Sequence, residues 1–101
     1  MAVVEISVTP LGTETPSVSR YVAGCVDIAR RSGLKVQLTP MGTILEGDML
    51  DIWPVLTLMQ QHPFSCGATR VSTLIKIDDR RDGFQHTLEG KVASVEEKLK
   101  G

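Results

Sequence analysis

Aromatic residues are scarce in this chain: one Trp, one Tyr and two Phe among 101 residues. That is thin material for the stacking platforms on which single-stranded nucleic acids lie. An excess of positive charge is also missing, since 11 basic residues face 12 acidic ones for a formal net charge of −1. Binding to nucleic acid by bulk electrostatics is therefore not expected. No apolar run approaches the roughly 20 residues a membrane-spanning helix requires. Met1 leads directly into an alternating strand pattern without a charged leader, so a cytoplasmic location is expected. Only two cysteines occur, Cys25 within a helical pattern and Cys66 in a loop, with neither a CxxC pair nor a histidine cluster. They read as idle thiols, and no metal site or cofactor is expected.

What is present is enough apolar material, 42% of residues, for one modest core. The expectation is a single domain over residues 1–101. A domain this small leaves apolar surface uncovered, which favours association with copies of itself.

One pentapeptide pattern occurs twice: Thr9-Pro10-Leu11-Gly12-Thr13 and, thirty positions later, Thr39-Pro40-Met41-Gly42-Thr43. Proline fixes φ and removes a donor, glycine permits a tight turn, and the threonine hydroxyls can bond backbone or ligand. Each copy follows a short alternating apolar run and marks a corner where a strand ends. Both copies are turns first, and a shared pocket is the functional alternative.

Val3 to Thr9 alternates, with Val4, Ile6 and Val8 on one side, and reads as the first strand. A helix follows from Pro16-Ser17, with Val18, Val22, Cys25, Val26 and Ala29 at helical spacing, closed by Arg30-Arg31-Ser32-Gly33. Strands are expected at Lys35–Thr39 and Thr43–Glu46. The second helix is expected to take Asp51 as its cap so that Pro54 falls in the first turn, to bury Trp53, Leu56 and Met59, and to end at His62-Pro63. Arg70–Ile77 reads as the longest strand. A last helix, capped by Thr87, carries Leu88, Val92, Val95 and Leu99 on one face.

The order β-α-β-β-α-β plus a C-terminal helix predicts an α+β, ferredoxin-like antiparallel sheet with strand order 4-1-3-2. In that topology the ends of strands one and two and the start of strand three lie at one end of the sheet. Both pentapeptides converge there. The cluster Asp78-Asp79-Arg80-Arg81-Asp82 falls at the opposite end.

The chain resembles the small thiamine-binding protein family. The likeness is carried by the PLGT corner, Ser19-Arg20-Tyr21-Val22-Ala23, Pro40-Met41-Gly42-Thr43 followed by Glu46-Gly47, and Arg70-Val71 leading to Ile75-Lys76-Ile77-Asp78-Asp79-Arg80-Arg81-Asp82. The resemblance implies a ferredoxin-like subunit, assembly into dimers and tetramers, and non-catalytic binding of thiamine (vitamin B1) or its pyrimidine moiety. An aminopyrimidine offers an amino donor and ring-nitrogen acceptors, which suit hydroxyls, backbone groups and one carboxylate.

The candidate ligand-binding set is Leu11, Gly12, Thr13, Ser19, Met41, Gly42, Thr43 and Glu46, with Leu11 and Met41 placed to sandwich a flat ring. Glu46 is the candidate carboxylate. Its alternative is a salt bridge, to Lys76 or Arg20, and which face of the third strand it occupies is open. A phosphate loop is missing, which favours unphosphorylated thiamine or the pyrimidine over the diphosphate.

Lys76, Asp78, Asp79, Arg80, Arg81 and Asp82 are candidates for an oligomer interface or for pairing within their own loop. They lack the glycine turn and terminal glutamate of a calcium loop. His62, His86, Ser65, Cys66 and Ser72 form no recognisable nucleophile–base motif, so no enzyme activity is expected. A structural or regulatory oligomer, or a binder of another metabolite or anion, is the competing reading.

Overall fold

A computed structural model of the chain describes residues 1–12, 19–82 and 88–100. Expectations placed on Thr13, Pro16 to Val18, His86 and Thr87 lie outside the described residues. Four strands, β1 (Ala2–Pro10), β2 (Lys35–Thr39), β3 (Gly42–Gly47) and β4 (Val71–Asp79), form one sheet in the order β2-β3-β1-β4, with every neighbouring pair antiparallel. Three helices, α1 (Ser19–Arg31), α2 (Met49–Ser65) and α3 (Leu88–Lys100), complete the described chain. This is the α+β strand order read from the sequence, seen from the other edge.

Alternation along β1 sets the layers. Ala2, Val4 and Ile6 are buried against α1 and α2, and their register partners Gly47, Leu45 and Thr43 share that face. Cys25, Ala29, Ile52, Leu56 and Met59 close the core from the helix side. Val71, Thr73, Ile75 and Ile77 continue the face on β4 through pairing with Pro10, Val8, Ile6 and Val4.

α2 departs from the expected form in three ways. Its cap is Asp48, whose carboxylate accepts from Leu50 N–H at 3.2 Å, so Pro54 sits beyond the first turn. The interior proline is tolerated because the carbonyl it leaves without an i+4 donor is that of Leu50, an exposed residue open to water. Trp53 is half-exposed; the buried stripe runs through Met49, Ile52, Val55, Leu56, Met59 and Pro63.

The helix also continues past His62-Pro63 to Ser65. Pro63 removes the N–H that would bond the Met59 carbonyl, and the Cys25 thiol donates to that carbonyl instead, at 3.3 Å. α1 and α2 approach closely one turn away, where a side chain at Gly24 would overlap the His62 ring. α3 makes no substantial contact with any other element among the described residues, and its Val92, Val95 and Leu99 are exposed.

Candidate functional site

β1 is longer than β3 at the corner end of the sheet. Their register runs only from Ala2↔Gly47 to Ile6↔Thr43, whereas β1 stays paired with β4 as far as Pro10↔Val71. The last four residues of β1 therefore project past the start of β3 and leave a notch in the sheet. The turn between β2 and β3 borders it.

A cavity of about 210 Å³ occupies this notch. It lies at the level of the sheet, because residues from both of its faces reach it: Ile6, Val8 and Thr43 from the helix side, Ser7 and Thr9 from the other. Val22 and Cys25 of α1 and Met59 of α2 form its floor. Leu38, Thr39, Pro40, Met41 and Gly42 close the remaining wall. No charged side chain lines it among the described residues. The volume falls below the roughly 300–1,000 Å³ of sites for drug-sized ligands and suits a single ring.

Local chemistry holds this wall in place. Thr39 Oγ1 accepts from Met41 N–H at 3.3 Å and Gly42 N–H at 3.1 Å, and donates to Gly42 C=O at 2.9 Å. A side chain hydroxyl thus ties both sides of the Pro40-Met41 turn. Gly42 must lack a side chain, since a Cβ there would stand 2.9 Å from the Ile6 carbonyl oxygen. The Cys25 thiol is held in its protonated form: burial chiefly, with the nearby Cys66 thiol adding to it, pushes its pKa up to about 11.

Of the residues singled out from sequence, Met41, Gly42 and Thr43 are brought together at the cavity. Thr43 is buried, while Met41 is 79% exposed at the rim. Leu11 and Gly12 continue the β1 corner, with Leu11 N–H donating to Arg70 C=O at 2.8 Å and Gly12 at φ 69°, but neither lines the cavity. Ser19 borders a separate shallow groove between α1 and β2.

Glu46 is not at the notch. It faces the side of the sheet away from α1 and α2, with Val3 and Lys35 as register partners. Four residues of strand from Gly42 also put it about 13 Å along the sheet. It is only 6% exposed, and its ion pair is with Lys35, Oε2 to Nζ 3.6 Å, in place of the Lys76 or Arg20 expected.

The cavity wall includes Val8, Val22, Cys25 and Met59, which sequence periodicity assigned to the core or left without a role. The missing signal was the overhang of β1 past β3, a property of register that no single stretch of sequence displays.

At the far end of the sheet Arg80 N–H donates to Met1 C=O at 3.2 Å, and the charges pair locally. Arg80 Nε bonds both carboxylate oxygens of Asp82 at 2.8 and 2.7 Å, and Arg81 Nε and Nη2 bond Asp79 Oδ2 at 3.1 and 2.9 Å. The Asp79 contact raises the Arg81 pKa further above its already high range. Asp78 and Lys76 are exposed on β4.

The family model for thiamine-binding proteins matches residues 4–96. The UPF0045 protein YqgV of Bacillus subtilis is 45% identical over 98% of both chains, and a UPF0045 protein of Methanothermobacter thermautotrophicus is 38% identical over 98% of this chain and all of its own. Among solved structures, protein MJ1052 of Methanocaldococcus jannaschii superposes with a TM-score of 0.84 at 34% identity, covering 95% of this chain and 96% of that one. A Thermotoga maritima protein described provisionally as one of thiamine biosynthesis or salvage has the same fold, with a TM-score of 0.78 at 22% identity over 93% of this chain and 97% of its own.

Proposed function

The chain belongs to the thiamine-binding protein family, and from that premise we propose that it binds thiamine, or the hydroxymethylpyrimidine half of it, at the notch beside β1 without catalysing a reaction. The observation that carries this reading is the ring-sized cavity at the sheet end where the second pentapeptide turns. Among the described residues its wall offers apolar faces from Ile6, Val22 and Met59 and no cation to repel a thiazolium. It equally offers no positive charge to hold a diphosphate, which favours the unphosphorylated ligand. The role is that of a carrier or sensor in the cytoplasm.

Calorimetry with thiamine, the pyrimidine and thiamine diphosphate tests it. Heat and a thermal shift are expected with one of the first two. Neither signal with any of the three overturns the reading. Thr43→Val, in the lining, should weaken binding and leave the fold intact. Glu46→Ala addresses the opposite face: loss of binding in a folded variant would assign that carboxylate to the ligand.

Self-association into dimers and tetramers is part of the proposal. It is supported by the apolar surface that one chain leaves open, Leu74, Ile75 and Ile77 on the edge strand β4 and the outer residues of α3. The charged loop after β4 would then fix the register between subunits. Light scattering on the Arg80→Ala/Arg81→Ala double variant checks this, and a variant that assembles like the parent removes the loop from the interface. An oligomer that takes no ligand is the second reading, favoured only by this same surface.

A further inference from the structure

Along an antiparallel strand the N–H and C=O of one residue point to one side and those of the next to the other. Leu11 N–H, one step beyond β1, donates to Arg70 on the β4 side, so the odd-numbered residues of β1 address β4. On the other edge the Ile6 carbonyl oxygen lies against Gly42, so the even-numbered residues address β3. Pairing with β3 stops at Ile6↔Thr43. The next even residues are Val8 and Pro10, and Pro10 has no N–H. The open edge of β1 at the notch is thus reduced to one donor, Val8 N–H, and two acceptors, the carbonyls of Val8 and Pro10.

Val8 forms part of the cavity wall. Thr39, the nearby hydroxyl of the turn, is already engaged as donor and as acceptor. Ser7, Thr9 and Thr43 bring further hydroxyls to the wall, and beside them the main chain of Val8 offers a donor and an acceptor on the one edge. In a hydrogen-bonded antiparallel pair, two facing residues exchange both of their N–H···O bonds. A flat ring with a nitrogen acceptor beside an exocyclic amino group presents the same pair of functions as the missing β3 residue.

We propose that the main chain of Val8 reads an amidine edge, with Val8 N–H donating to the ring nitrogen and Val8 C=O accepting from the exocyclic amino group. The ring then lies in the plane of the sheet, filling the place where β3 would have continued, with Ile6, Val22 and Met59 beside it. This rests on the ligand reading above and deepens it by naming the contact that selects an aminopyrimidine over other rings of its size.

The test compares two probes, the aminopyrimidine of thiamine and its counterpart with methyl in place of amino, on the wild type and on Val8→Pro. Proline at this position removes the donor from the open edge and spares the β4 ladder, which uses the odd residues; Pro10 already stands on the same edge two residues along. The wild type should prefer the amino probe by about tenfold, because only that probe has a donor for the Val8 carbonyl. Val8→Pro lacks the donor that meets the ring nitrogen of either probe and should bind the amino probe about tenfold more weakly than the wild type does. Because the variant can fail to fold, amide exchange at Val8 in the wild type supplies a second readout, slowing when the amino probe is added. A folded Val8→Pro with the wild-type affinity for the amino probe, or a Val8 amide indifferent to the probe, overturns the proposal. Wild-type binding of both probes without preference overturns it alone. Binding of neither probe, nor of thiamine, overturns the function as well.

Discussion

At the end of the sheet where β1 overhangs β3, the cavity wall contains neither a carboxylate nor a cation among the described residues, and its polar groups are main chain and the short hydroxyls of Ser7, Thr9, Thr39 and Thr43, of which Thr39 is tied into its own turn. At the end where β4 stops, the polar groups are long charged side chains, Arg80 with Asp82 and Arg81 with Asp79, paired with each other in the open. Geometry at the first end is set by strand register and cannot adjust without moving the sheet. At the second it is set by rotamers that water and salt can rearrange. A site for a small flat molecule needs the former, and a surface that meets other proteins tolerates the latter.

The strongest way to break this contrast is Gly42→Val. The new side chain meets the Ile6 carbonyl oxygen, which is backbone and cannot swing aside. Destabilisation of about 1–3 kcal/mol is expected from forced packing of this kind, together with loss of ligand binding. Thermal unfolding and calorimetry check both.

A smaller effect should follow pH. The buried Cys25 thiol keeps its proton up to about pH 11, whereas in the unfolded chain it ionises near its ordinary value of 9.0. Its contribution is therefore fully present below pH 9 and declines as pH rises to about 11. The wild type should lose up to about 2 kcal/mol over that interval relative to Cys25→Ala, read as a difference in denaturant midpoints. In the same protein the exposed Cys66 should react with a thiol reagent at pH 8 well before Cys25 does.

The smallest effect is expected at the charged end. Arg81→Ala should leave the melting temperature almost unchanged at low salt and indistinguishable from the parent at high salt, because the arginine end of its pair with Asp79 is exposed. A large loss there would show that side-chain pairing fixes that end as firmly as register fixes the other.

Much of the fold could be read from periodicity. The alternation of Val4, Ile6 and Val8 identified the core face of β1, and the two threonine-proline corners located the end of the sheet where the cavity lies. Glu46 was not readable in the same way. In Thr43-Ile44-Leu45-Glu46 either alternation carries an apolar residue, and only pairing with Val4 and Ile6 fixes Leu45 and Thr43 inward and Glu46 outward. Pro63 misled for a different reason. Proline weakens a helix through a bond it fails to make, and sequence gives no sign that another group will use the abandoned carbonyl. Val8 was legible as a core residue, but the role of its main chain depends on where a neighbouring strand begins.

The carbonyl that Pro63 leaves to Cys25 also bears on how such a chain can drift through substitution. A residue with an amide hydrogen at position 63 would close the ordinary helix bond, and the carbonyl, with two lone pairs, could keep the thiol as well; a residue without a donor at position 25 would strand that carbonyl beneath the cavity floor while Pro63 stands. Only the second change is penalised alone, and the first removes its penalty. Loss of the donor at position 25 should therefore be found in descendants that have already replaced the proline at position 63, even though the two sit on different helices.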